Sequence, residues 1–487
     1  MASAGLAVQA IDPALKRQLI EEAKMKVETA LEEHLCSLPQ SAKELLDLEQ
    51  SLHQAMARHV TDRVVGQVIV AALESDGVRG QAAQVQASVP HLHLQDRRQT
   101  VTITLLGGTT ITVEAAYYLR RPPRGPGRVR GRGRRGSAGN GMYPRLEVLG
   151  LGLRASPALA SEAARLAAMG TIDAACDTLA MRGVHLSRKV FTRLYRSVAR
   201  RGLSYREWIM ANAERVKRTV SLAGKRVLIG TDGGRVRTKV CPPAGRRRKS
   251  GRQGFEGVWR EPKVLVIHEL DAAGRKVRKG VLYYDATMRD ADGLFDLLAG
   301  ALLALGANEA VEWVFAGDGA EWIWNRVPAL VRRVGFTGRL TEVVDFYHAA
   351  QHLHAMAAAR NWSKSQVEAW TKRMRRFLKK GDIDRILIEA ESICKGRTAG
   401  TIRTEMEYFK SHRHRMDYER FRQLKIPIGS GAVESCVRRL VNLRMKGNGI
   451  FWREDCAEDV LLLRARLLSG TWNSFIRTIL GPRALWS

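Results

Sequence analysis

The chain has 487 residues, 45% of them apolar, and a formal charge of +31 at neutral pH. That length and apolar content suffice for two or three domains with cores of their own, and the charge exceeds what solubility requires, so a polyanionic partner is expected. No hydrophobic span, amphipathic anchor or lipidation motif points to a membrane, which leaves nucleic acid as the expected polyanion. The opening residues MASAGLAVQAIDPALK lack a basic region followed by a long apolar run, so no signal peptide is expected and the protein is placed in the cytosol. Six cysteines, Cys36, Cys176, Cys241, Cys394, Cys436 and Cys456, are scattered without a CxxC pair, which argues against a disulfide framework or a zinc knuckle.

Residues 1–95 read as helical, with Leu45, Leu48, Leu52, Met56, Val60 and Val64 on one stripe, and a small helical bundle is expected there. Residues 101–106 and 110–115 alternate apolar residues with Thr around LGGTT, the pattern of a β-hairpin with a glycine turn. Directly after it, residues 120–141 (RRPPRGPGRVRGRGRRGSAGNG) hold eight arginines and almost nothing that builds a core. This Arg/Gly arm, with Arg128, Arg130 and Arg132, suits a phosphate backbone or a minor groove.

Residues 145–222 return to helix, and TIDAACDTLAMRGVHLSRKVFTRLYRSVARRG has the form helix, glycine turn, helix. Such pairs are common in any α-domain, but in a chain this basic the pattern suggests a DNA-binding helix-turn-helix. Its second helix begins near Ser187 and presents Arg188, Lys189, Thr192 and Arg193.

From residue 223 the character changes. KRVLIGTDGGRVRTK, PKVLVIHEL, KGVLYYDAT, VEWVFAGDGAEW and LTEVVDFYHA read as five strands, the first three close together and the last two each followed by a helix. A second basic loop, CPPAGRRRKSGRQGFEGVWREP, separates the first two. About eighty residues after the last strand are helical and strongly basic, including TKRMRRFLKK, too long for a plain loop. The fold class expected is α/β: a mixed five-stranded catalytic core spanning 223–360 and 426–487, interrupted by a helical insertion at 361–425 and preceded by a helical region (1–95), the hairpin and arm (96–144) and the helix-turn-helix domain (145–222).

Asp232 ends the first strand in IGTDGGR and Asp318 ends the fourth in FAGDGAEW, each followed by glycine. Taken singly, an Asp-Gly is a turn residue. Acids at the carboxyl ends of neighbouring strands, however, converge on the edge where an α/β domain places its ligands. A third acid, Glu434, stands in residues 427–452, PIGSGAVESCVRRLVNLRMKGNGIFW, after a plausible N-cap at Ser430 and on a helix whose Val433, Val437, Leu440, Val441 and Arg444 recur at helical spacing, the apolar ones facing a core. A helix dipole alone accounts for many such glutamates. Three carboxylates together suit two hard divalent cations about 3.5–4 Å apart, which activate an attacking hydroxyl and stabilise the leaving oxygen of a phosphodiester. Asp345, in VVDFYHAAQHLH, also falls at a strand end, and with His348 it forms a supporting pair; His348 and His352 lack the third ligand a zinc site needs. Arg438, Arg439, Arg444 and Lys446 are placed to hold phosphate, and Trp452 either packs in a core or stacks on an unpaired base.

In TDGGRVRTK, GDGAEWIWN, VDFYHAAQHL and GSGAVESCVRRLVNLRMKGNGIFW, in that order, the chain resembles the DDE transposases of bacterial insertion sequences, specifically the Kra-type family related to Mutator-like elements. The resemblance covers roughly residues 225–470. It implies an RNase H-like core, Asp232, Asp318 and Glu434 as catalytic triad, Mg²⁺ (or Mn²⁺) as cofactor with two ions per site, and a match of Asp345 and His348 to the D-x-x-H signature of the group. It further implies cleavage and strand transfer on double-stranded DNA, the element's terminal inverted repeats and a target, by a homodimer or larger assembly associated with a bacterial nucleoid. Some relatives carry cysteines between the hairpin and the next domain, and this chain has none there. The competing expectations are an RNase H-like nuclease or resolvase without strand transfer, and a non-catalytic DNA-binding derivative.

Overall fold

The LGGTT turn closes a hairpin longer than its sequence pattern: β1 (Leu92–Thr104) and β2 (Thr110–Arg120) pair antiparallel from Thr104↔Thr110 outward, and a short β3 (Gly141–Met142) adds to β2. In the computed structural model residues 10–120, 141–215, 220–240 and 254–481 are described. Arg128, Arg130 and Arg132 lie outside the described residues. The chain divides into two compact units, Met1–Tyr205 with Asn473–Ser487, and Arg206–Trp472.

In the first unit, helices Pro13–His34, Ala42–Ala55, Asp62–Glu74 and Asp76–Ser88 precede the hairpin, and Asp12, Ser41 and Ser75 cap three of them by accepting a backbone N–H. The Leu45 to Val64 stripe does not run unbroken into a core. A π-helical turn at Met56–Thr61 shifts its phase, and Leu45 stays 47% exposed. Asp62 is buried because it holds the hairpin turn, accepting from the Gly107 and Thr109 backbone N–H groups (3.0 and 3.1 Å) and from the Thr109 hydroxyl (2.6 Å). Gly108 sits at φ 90°, where a Cβ would lie 2.4 Å from the Gly183 carbonyl oxygen.

The helix pair read at residues 171–202 is present as Ile172–Met181 and Arg188–Asn212, separated by Gly183 at φ 81°. The second helix begins one residue after Ser187, whose hydroxyl accepts the Val190 N–H at 3.3 Å. Phe191, Leu194, Tyr195 and Val198 are buried, which leaves Lys189, Arg193 and Arg200 exposed at helical spacing.

The second unit is organised by the alternation along KVLVIHEL. The five strands fall where the sequence places them: β4 (Arg226–Gly233), β7 (Lys263–Leu270), β8 (Leu282–Thr287), β9 (Glu312–Gly317) and β10 (Arg339–Val344). Their order is β10-β9-β4-β7-β8, with β4, β9 and β10 parallel and β7 antiparallel to both β4 and β8. This mixed sheet is compatible with an RNase H-like core. Leu265 and Ile267 face a large core with the Ala291–Ala304 helix, while Val264 and Val266 face a second layer with Val433, Cys436, Leu440, Val441, Ala457, Leu461 and Ala465. A two-stranded ribbon stands between the first two strands: β5 (Val236–Val240), at the end of the stretch read as the first strand, and β6 (Glu256–Arg260), within the basic loop expected after it. The sequence pattern does not reveal it because fifteen residues separate two short strands, one of them largely exposed. Helices Lys364–Lys379, Ile383–Ile393, Ala399–Ser411 and Tyr418–Gln423 occupy the stretch read as an insertion. No helix of the described residues is long and apolar enough to cross a membrane.

Candidate active site

Register alone brings three acids to one level. Gly230 of β4 lies beside Ala316 of β9, and Val344 of β10 beside Gly317, so two residues further along β4 and β9 stand Asp232 and Asp318, and one residue beyond β10 stands Asp345. They occupy the carboxyl edge of the parallel strands.

Asp232 and Asp318 are both half-buried and feel each other's charge. Burial pushes the Asp232 carboxyl up to about 6, the charges of Asp318 and Glu261 add to the rise, and the Gly233 N–H (2.6 Å) and Lys263 oppose it. Lys263 lies over the Trp322 ring at 4.0 Å and pairs with Glu261 at 3.1 Å. Asp318 is held at two points: one carboxylate oxygen accepts the Ala320 N–H at 2.9 Å, and its carbonyl accepts the Tyr408 hydroxyl at 3.0 Å.

Tyr408 comes from the Ala399–Ser411 helix of the insertion. Its ring stacks on His352 at 3.7 Å, and His352 in turn meets Glu405 at 2.5 Å. Burial raises the Tyr408 phenol far above its ordinary value, so it stays a neutral donor. Gly319 makes room for it, since a Cβ there, at φ 95°, would lie 2.5 Å from the Tyr408 ring.

Asp345 has a different job. It is 2% exposed and both its oxygens are spent on backbone: one accepts the His348 N–H at 2.5 Å, which caps the Phe346–Ala358 helix, and the other accepts the Ser430 N–H. The three-residue spacing of Asp345 and His348 is the spacing of an N-cap and its N3 amide. The Phe346 N–H donates to the Ile428 carbonyl at 2.9 Å, so this turn also fixes the segment leading to Glu434. Burial lowers the His348 imidazole pKa, against the charge of Asp318, so His348 is neutral near pH 7.

Glu434 lies on the helix Gly431–Val437, which Val433 seats on β4: a Cβ at Gly230 would lie 2.2 Å from Val433 Cγ2. Ser430 occupies the N-cap position, but its hydroxyl makes no capping bond. Glu434 itself is exposed, and among the described residues no group of three or more His, Cys, Asp or Glu is drawn together closely enough to hold a metal ion. The structure therefore brings Asp232 to Asp318 and leaves Glu434 beside the pair without closing the set. Cys436, two residues on and on the opposite, buried face of the helix, is a protonated core thiol whose pKa burial raises strongly, and it donates to the Leu265 carbonyl.

Of the basic residues, Arg438, Arg439 and Lys446 are exposed, and residues 438–442 form a π-helical turn whose Arg439 and Leu440 carbonyls accept from Arg464. Arg444 lies over Trp452 at 5.0 Å, and the Trp452 indole N–H donates to the Met445 carbonyl at 3.0 Å, which commits that ring to packing. In the first unit Lys189 and Arg193 are exposed, whereas Arg188 pairs with Asp173 at 2.6 Å. Sequence reasoning missed Glu261, Lys263 and Tyr408. The antiparallel direction of β7, which places Lys263 opposite Gly233, is the signal that finds the first two; nothing in the sequence points to Tyr408.

Asp232→Asn should raise Tm by a few degrees at pH 7 in metal-free buffer. The folded carboxyl binds its proton more tightly than the unfolded one (about 6 against 3.8), so wild-type stability falls as pH rises through that window, and the Asn variant escapes the fall. The two proteins should melt together below pH 4; equal Tm values at pH 7 would show that the raised proton affinity is absent.

No protein-family model and no curated protein matches the chain. Among solved structures, it is similar to the Drosophila P element transposase strand transfer complex at 12% identity, covering 67% of this chain and 82% of that one, with a TM-score of 0.23. At that score the likeness carries no argument.

Proposed function

We propose that the chain is a metal-dependent DNA transposase of the DDE class, resembling the Kra-type insertion-sequence family, which binds the inverted-repeat ends of its element and performs strand cleavage and strand transfer. The observation that carries this reading is the Asp232–Asp318 pair at the carboxyl edge of β4 and β9, with the proton affinity of Asp232 raised by burial and by its neighbour. Two hard oxygen donors with no thiolate beside them suit Mg²⁺ or Mn²⁺. Asp232 and Asp318 would hold the cations with Glu434 as third ligand, and the ions would supply activation of a hydroxyl nucleophile and charge stabilisation at the leaving oxygen.

The chain's own residues account for positioning. Tyr408 fixes the Asp318 turn from the insertion, and Asp345 ties the Ser430 turn to the sheet edge, so the helix bearing Glu434 keeps its register beside the pair. Lys263, steadied on Trp322, places a cation next to Asp232 where a scissile phosphate would approach. Lys189 and Arg193 on the exposed edge of the Arg188–Asn212 helix, and the exposed Arg438, Arg439 and Lys446 that follow Glu434 in the chain, provide cations for a duplex backbone. Paired element ends imply a dimer or larger assembly.

One observation favours the rival reading of a DNA-binding derivative without catalysis, namely that Glu434 stands exposed outside the pair. The deciding experiment uses DNA that ends in the repeats flanking the coding region, with Mg²⁺ or Mn²⁺, and follows both nicking and joining to a second duplex. Joined product is the expected result. Nicking without joining would indicate a nuclease or resolvase, and binding without nicking would indicate the derivative.

A further inference from the structure

The ribbon β5–β6 and the GNGIFW segment come together into one surface that the catalytic reading leaves unused. The Trp452 N–H donates to the Arg237 carbonyl (2.9 Å) and the Lys239 N–H to the Trp452 carbonyl (2.8 Å), so residues 451–452 lie along β5 as β6 does on its other side. Val236 and Thr238 point inward and are buried, and alternation therefore sends Arg237 and Lys239 to the opposite face. On that face rings and cations interleave. Arg237 lies 5.5 Å from the Trp259 ring and 5.0 Å from that of Phe451, Phe451 meets Phe255 edge-on at 5.1 Å, and Lys239 lies 5.8 Å from Phe255. Gly257 permits the arrangement, since a Cβ there would lie 2.6 Å from Phe451.

Two of these rings remain open to solvent, Trp259 at 56% and Phe255 at 43%. Scattered exposed aromatics need no explanation, but these two stand together, Trp259 in β6 and Phe255 directly before it. Their neighbours are the guanidinium and ammonium groups that hold them, and the ribbon leaves the sheet two residues after Asp232, where the Gly234 N–H closes onto the Pro262 carbonyl at 2.7 Å. At about 3.3 Å per residue, Arg237 lies within roughly 16 Å of Asp232.

We propose that Trp259 and Phe255 form a stacking platform for unpaired bases of the DNA strand that reaches the candidate site, with Arg237 and Lys239 serving the adjoining phosphates. The proposal rests on the nucleic-acid reading above and deepens it. Charge complementarity selects this occupant over an apolar protein surface: cations set between aromatic rings match a strand in which bases and phosphates alternate. It also moves the stacking role from Trp452, whose indole is hydrogen-bonded within the fold, to the neighbouring rings that are free to receive a base.

The test measures equilibrium binding of the full chain, by anisotropy and without divalent cation, to a blunt duplex, to the same duplex with a short unpaired 3′ tail, and to one whose tail carries abasic sites. The wild type should bind the base-bearing tail about tenfold more tightly than the blunt duplex, the size expected of one or two stacked bases. Abasic sites should remove that gain. Trp259→Leu with Phe255→Leu should remove it as well while leaving the blunt duplex within about twofold, and Trp259→Phe with Phe255→Tyr, which keep the rings, should retain most of it. The proposal is overturned if the wild type shows no tail preference, if the abasic tail binds as well as the base-bearing one, or if the leucine variant keeps the gain. A leucine variant that changes sedimentation but not binding would instead make the ribbon a contact between copies. Because cleavage is not read, failure here is separate from failure of the catalytic assignment.

Discussion

Asp232→Asn and Asp318→Asn should each lower Mg²⁺-dependent strand cleavage by about 10³-fold or more, the scale of several kcal/mol of lost metal-assisted stabilisation, while duplex binding at moderate salt stays within a few-fold of wild type. Each variant keeps the shape of its side chain, and the turn contacts made by these residues, Gly233 N–H to Asp232 and Ala320 N–H to Asp318, need only a carbonyl oxygen. Loss of cleavage with preserved folding would therefore report the charge and not the turn. Glu434→Gln is the informative third variant. Its side chain is exposed and lies outside the pair, so the substitution should leave Tm unchanged, and only a catalytic contribution would lower cleavage by a similar factor. Full activity in that variant would reduce the triad to Asp232 and Asp318; full activity in all three would remove the site altogether. Asp345→Asn behaves differently on structural grounds, because Asp345 is buried and joins the Phe346–Ala358 helix to the Ser430 turn. A fall in Tm should accompany any loss of activity there.

The contrast between Asp345 and the pair explains what could be read from the chain. All five strands of the mixed sheet are legible because short, largely apolar stretches end at a glycine or an acid, and the strand ends are legible as a place where acids collect. What separates Asp345 from Asp232 is the fate of its oxygens, and that depends on Ser430, eighty-five residues away, which no local pattern encodes. Tyr408 was illegible for the same reason: its helix reads as one more basic amphipathic segment, and its hydroxyl finds Asp318 only through the packing of the insertion. The ribbon β5–β6 is hard to read because β5 (VRTKV) runs on from the first strand after two glycines and β6 (EGVWR) is a short, largely exposed strand inside a basic stretch, a pattern that does not separate a solvated strand from a coil.

Buried charge provides the second large effect, this time on stability. Asp285 on β8 is 1% exposed and sits between two arginines, Arg206 (3.3 Å) and Arg466 (3.0 Å), with the Tyr283 hydroxyl at 2.8 Å and the Ala286 N–H at 2.9 Å. Glu458 completes the cluster, accepting from Arg206, the Thr287 hydroxyl and the Met288 N–H. Burial alone raises the Asp285 pKa, but Arg466 and Arg206 outweigh it and hold the carboxyl below its ordinary 3.8. A depressed folded-state value means that its stabilisation is present above pH 3.8 and is lost as pH falls through the lowered value. Asp285→Asn would remove the buried carboxylate that stands between two buried guanidinium groups, at a cost of about 3–5 kcal/mol, which corresponds to a fall in Tm of roughly 5–20 °C. Glu458 and Arg466 belong to the Glu454–Leu468 helix, and Arg464 of that helix holds the carbonyls of the turn following Glu434. The cluster thus anchors to β8 the layer on which the Glu434 helix rests, and the variant should lose cleavage at temperatures well below its own Tm. Melting within 2 °C of wild type, a shift smaller than about 1 kcal/mol, would show instead that the arginines find other partners and that the cluster is dispensable to the fold.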